Sequence, residues 1–64
     1  MKIAVYYGIK NVARRFDTYT TCEEILERSN KDQGRMIVHQ LKTTGCCVLP
    51  IKGSLDRVYY EVVE

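Results

Sequence analysis

A helix start is written into the middle of an otherwise β-rich chain. Thr20 stands three residues before Glu23 and Thr21 three before Glu24. In either register the threonine hydroxyl accepts a backbone N–H of the first turn while the glutamate reaches back to close a capping box. Cys22, Ile25, Leu26 and Ser29 then fall on one narrow stripe, and Glu23, Glu24 and Glu27 take the other sides. There the positive end of the macrodipole favours carboxylates. Arg28 and Lys31 follow toward the C-terminal end, and Asn30, Asp32 and Gly34 offer stops, so a helix of about three turns is expected.

Everything around this helix reads as strand. Lys2 to Tyr7 places Ile3, Val5 and Tyr7 on one side and Ala4 and Tyr6 on the other, and Gly8 ends the run. Residues 9–17 satisfy two periods. Val12, Arg14, Phe16 and Thr18 alternate as a strand would, whereas Ile9, Val12, Ala13 and Phe16 match a helical stripe. The strand is favoured because Gly8 to Asn11 supplies turn chemistry and Asp17 to Thr21 is poor helix material. Arg35 to Lys42 reads as a third strand, with Ile37, His39 and Leu41 opposed to Met36, Val38 and Gln40. Thr43-Thr44-Gly45 is then a tight connection to Cys46–Ile51, where Pro50 fits an edge, a bulge or a strand end. Residues 52–56 form a loop, and residues 57–63 close the chain as a strand.

The expected order is therefore ββαβββ. It describes a single α+β domain over residues 1–64, with one helix packed on a curled, mainly antiparallel sheet. Its ββαβ opening is shared, as topology only, with the β-grasp architecture. A helical residue 9–17 segment would make the order βααβββ.

So short a chain cannot be divided into two cores. With 45% hydrophobic and 28% charged residues it has the composition of a folded domain, and its small core leaves homo-oligomerisation open. Three cysteines cannot all pair within the chain, and their spacing resembles no secreted disulfide framework. Neither a signal peptide nor a membrane span is legible, and the expected location is the cytoplasm.

Catalytic and metal chemistry find little support. The chain has no Gly-rich phosphate loop, no Gly-x-Ser-x-Gly and no His-Glu-x-x-His. Cys22, His39, Cys46 and Cys47 are zinc-type ligands, but adjacent cysteines on a strand point to opposite faces and no Cys-x2-Cys pair exists. The expectation is a non-enzyme without cofactor or metal. Cys22 fills the helix stripe and one of Cys46 and Cys47 fills the core.

Charge and tyrosines remain. Ten Lys and Arg against eight Asp and Glu leave only +2, too little for a whole-surface electrostatic argument. The charges are nevertheless blocked. If the first hairpin and the third strand are neighbours, Lys10, Arg14, Arg15, Arg35 and Lys42 share a basic face with Tyr19 and Tyr59. Tyrosine and arginine suit protein contacts, through that face or a sheet edge, and an inhibitor or adaptor type of module is the leading expectation. The same groups would stack and pair with RNA or single-stranded DNA, which is the alternative.

Overall fold

The computed structural model describes residues 1–10 and 12–64. Its elements run β1 (Ile3–Ile9), β2 (Ala13–Thr20), α1 (Cys22–Arg28), α2 (Lys31–Thr44), β3 (Cys46–Pro50) and β4 (Asp56–Val62). One four-stranded sheet has the order β2-β1-β4-β3, and every neighbouring pair is antiparallel. The class is α+β, as the sequence indicates, with two helices in place of one.

The described residues of 9–17 are not helical, and β2 pairs with β1 as a hairpin. Val12 N–H donates to the Ile9 carbonyl at 2.9 Å, and Lys10 turns the chain at φ 45°. The strand runs through Gly8 and ends at Ile9 instead of stopping at the glycine. Asn11, also expected in this turn, lies outside the described residues. Gly8 is needed for space: a Cβ there would overlap the Ala13 carbonyl oxygen and come within 2.8 Å of Arg14 Cα.

Of the two capping registers, the chain uses Thr21. Its Oγ accepts the Glu24 N–H at 3.2 Å and donates to Glu24 Oε1 at 3.3 Å. The helix is shorter than expected, because the chain leaves it at Ser29 and Asn30 starts another. Asn30 Oδ1 accepts the Gln33 N–H at 2.9 Å, so a residue read as a helix stop is an N-cap.

The expected strand Arg35–Lys42 is instead the body of α2. Buried Gly34, Ile37, Val38 and Leu41 fall at i, i+3, i+4 and i+7, the helical spacing, and they outweigh the period-two alternation of the same residues. Gly34 is a contact residue between α2 and α1: a Cβ there would meet Ile25 O and Leu26 Cα at 3.4 Å, the near limit of ordinary contact. Gly45 caps α2 in the left-handed region (φ 85°) and donates its N–H to Leu41 O at 3.0 Å. The opening is thus ββαα, and the β-grasp likeness of the expected order does not hold.

Both helices lie on one side of the sheet. Ile3, Ile25, Ile37, Val38, Leu41 and Cys47 form the core, with Cys22, Leu49, Tyr60 and Val62 packed against it. Burying each large aliphatic side chain there contributes about 1.5–3 kcal/mol. Of the adjacent cysteines, Cys47 is buried and Cys46 exposed, and all three thiols are free. Burial pushes the Cys47 thiol above its ordinary value, with Cys46 adding to the effect. Burial likewise raises the Tyr60 phenol, followed by smaller contributions from Tyr7 and Cys47.

Two measurements bear on this packing. Gly8→Ala is expected to lower stability by about 2 kcal/mol or more, because backbone must move to admit the methyl. Gly45→Ala meets nothing within 4 Å and should cost only the left-handed backbone penalty of about 1 kcal/mol. Equal urea midpoints for the two variants would contradict the packing assigned to Gly8. Stability should also fall in alkali. A group whose folded pKa is raised stabilises fully below its unfolded value, and that stability is lost as pH rises through the folded value. The urea midpoint should therefore decline first through the thiol range and then through the phenol range, less steeply at first in Cys47→Val.

Candidate interaction surface on the open sheet face

Alternation along each strand sends every second side chain away from the helices. The registers align these outward residues in three rows across the sheet. The central row is Phe16, Tyr6, Tyr59 and Val48, one residue from each of β2, β1, β4 and β3. Toward the β1–β2 turn lies a row of Arg14, Gly8, Arg57 and Pro50. On the other flank stand Tyr19, Ala4, Glu61 and Cys46.

A bulge in β2 makes this arrangement. Val5 pairs with Thr18 and Tyr6 with Phe16, so Asp17 has no partner on β1 and the alternation slips by one residue. Without the slip, Tyr19 would share the side of Asp17 and Arg15. With it, Phe16 and Tyr19 stand side by side at 4.8 Å between ring centroids, and Tyr6 meets Phe16 edge-on at 5.6 Å.

Cations cap the rings. Lys2 Nζ lies 4.1 Å from the Tyr19 centroid, and Arg14 Cζ lies 5.4 Å from that of Tyr6 and 5.1 Å from that of Tyr59. These are cation–π distances. Lys2 also approaches Glu64 at 4.0 Å, an exposed pair worth little. The centre of the face is already dry: Ala4 is 1% and Tyr59 5% exposed, whereas Phe16, Val48 and Tyr19 remain 44%, 46% and 51% exposed. The Tyr59 hydroxyl is buried without a hydrogen-bond partner among the described residues.

The sequence-derived basic face is divided by this geometry. Arg14 and Tyr19 are on the open face. Arg15 is exposed on the opposite side of β2, and Lys10 is exposed in the turn. Arg35 and Lys42 are exposed on α2, not on the sheet, since their segment is helical. Tyr59, expected to offer an exposed ring, is buried beneath Arg14 between Tyr6 and Val48. Lys2, Phe16, Val48, Arg57 and Glu61 belong to the face, although no signal local to their own segments marks them for it. Phe16 and Tyr19 differ by an odd number of residues, so ideal alternation separates them.

Two open concavities of about 620 and 480 Å³ flank β2, the first lined in part by Gly8, Arg14, Asp17 and Asp56, the second by Thr18, Glu24 and Arg28. Among the described residues, no group of three His, Cys, Asp or Glu could hold a metal ion, and no helix is long and apolar enough to cross a membrane. Comparison of the chain with family models, curated proteins and solved structures returns no match.

Removing a buried hydroxyl that lacks a partner relieves a desolvation cost of about 1–3 kcal/mol. Tyr59→Phe is therefore expected to leave the thermal midpoint unchanged or raised. A clear drop would mean that the hydroxyl is satisfied, and that Tyr59 is anchored by more than its ring.

Proposed function

We propose that this chain is a small protein-binding module of the inhibitor or adaptor type, and that its contact surface is the open sheet face. The observation that carries this reading is the central row. It runs unbroken over all four strands, buried at Tyr59, half-buried at Tyr6 and exposed at Phe16 and Val48 at both ends. Sheets that pack face to face bury such rows, and aromatic and arginine side chains supply large, rigid contact area at interface centres. Three free thiols, one of them exposed, fit a reducing compartment, and we place the module in the cytoplasm.

The capped rings favour a second reading. Lys2 over Tyr19 and Arg14 over Tyr6 pair cation with aromatic as a single-stranded nucleic acid platform requires. Against it, Glu61 is exposed in the same face and would oppose a phosphate backbone.

Immobilised protein is expected to retain a partner from its source lysate. Retention should survive Arg35→Glu with Lys42→Glu on α2 and fall about tenfold or more when Phe16 and Tyr19 are both replaced by lysine. Retention that follows the α2 charges instead would sink the proposal. A low-salt gel shift with mixed RNA and DNA pools, lost on Arg14→Glu, would replace it with the nucleic acid reading.

A further inference from the structure

We infer that the occupant of the open face is a second copy of this chain, packed sheet on sheet about a two-fold axis that runs along the Phe16–Tyr6–Tyr59–Val48 row. The inference rests on the reading of that face as a protein-binding surface and names the partner.

The three rows are what single out a second copy. A two-fold rotation about the central row keeps each strand opposite its own equivalent, reverses its direction, and exchanges the two flanking rows. On β4 this sets Arg57 against Glu61 of the second copy, and Glu61 against its Arg57. On β2, Arg14, which reaches over its own Tyr6 and Tyr59, comes opposite Tyr19 of the second copy, whose ring already carries Lys2, so this pair adds contact area and no new charge pairing. On β1, Gly8 meets Ala4, so the smallest residues of the face oppose each other and the sheets can close over the middle. The central row meets itself, with Phe16 and Val48 covered at either end. All of these assignments follow from the observed registers. A two-fold interface must be self-complementary in this way, residue i meeting j while j meets i. The other two-fold in the plane, along the strands, would set Arg57 against Gly8 and Glu61 against Ala4 and leave both charges without a partner.

Antiparallel strands crossing at up to about 30° are the usual aligned packing of two sheets. Four strands spaced by about 4.8 Å and some seven residues long at about 3.4 Å each give a platform of roughly 19 by 23 Å. That is the small end of specific interfaces, the range of weak and transient contacts.

The test is sedimentation velocity on the full chain from about 10 µM to about 1 mM, as weak contacts require. The wild type should be a concentration-dependent dimer. Arg57→Glu and Glu61→Arg should each weaken dimerisation about tenfold or more, because each sets like charges together twice across the axis. Mixing the two single variants should restore a dimer, since one copy then presents carboxylates at both positions and the other presents guanidinium groups at both. The double variant should dimerise alone. Unchanged circular dichroism and urea midpoints in the variants exclude unfolding as the cause of any loss. A wild type that stays monomeric, a dimer indifferent to both charge reversals, or a mixture that stays monomeric would each overturn the inference. The protein-binding reading fails separately: it stands if a monomeric wild type still retains a lysate partner that the Phe16 and Tyr19 variant loses, and falls if a monomeric wild type retains none.

Discussion

Two helices of seven and fourteen residues can cover one face of a four-stranded sheet and no more. The rest of the molecule follows from that asymmetry. Ile3, Cys47, Tyr60 and Val62 receive α1 and α2, and the alternate residues of the same strands are left with only one another for company. Their solution is lateral. Tyr59 is buried without any covering layer, because Tyr6, Val48 and the Arg14 side chain close over the middle of the sheet, and Ala4 is buried between Tyr19 and Glu61. Such a surface is half-way to a core, with dry centre and exposed ends, and the orphaned Tyr59 hydroxyl is the cost of drying it from the side.

The Asp17 bulge decides which residues make up that surface. In a strictly alternating β2, Phe16 would stand with Thr18 and the tyrosine at 19 would turn toward the helix side. One unpaired residue moves Tyr19 to the open side and sends Thr18 and Thr20 to the other. The bulge and the Gly8 approach lie on opposite sides of the Tyr6–Phe16 pair, so the β1–β2 hairpin departs from ideal geometry on both sides of its central aromatic contact. Bulges of this kind re-aim side chains and also discourage further strand pairing at an edge. Both effects fit the proposed contact through the face and not through the β2 edge.

Five of the six elements are legible in the sequence, each for a local reason. The capping threonines start α1, Ile, Val and Tyr content marks β1 and β4, turn chemistry at Gly8 separates β2 from β1, and the short apolar run ended by Pro50 is β3. The missed element, α2, shows what local signals leave out. Asn30 and Gly34 are punctuation in isolation, but Asn30 begins a helix as readily as it ends one, and Gly34 is where two helices touch. Residues 35–42 alternate and also carry the helical stripe, and packing against β3 and β4 chooses between the two. The site was legible by type more than by address. Arg14 and Tyr19 were recoverable from composition along β2, whereas the burial of Tyr59 and the inclusion of Val48 depend on cross-strand neighbours that no single segment contains.

Net charge is a poor guide to what such a face binds, and its distribution is a better one. Across the whole chain +2 says almost nothing. Along β4 alone the sign changes from Arg57 through uncharged Tyr59 to Glu61, within a single side of one strand. Nucleic acid presents one sign of charge throughout and rewards a uniform cationic track. A strand whose sign reverses across an apolar row, as β4 does, rewards a partner with the opposite order. For a two-fold axis along that row, the chain's own face has that order by symmetry, so the sequence of one strand is enough to specify both halves of the contact.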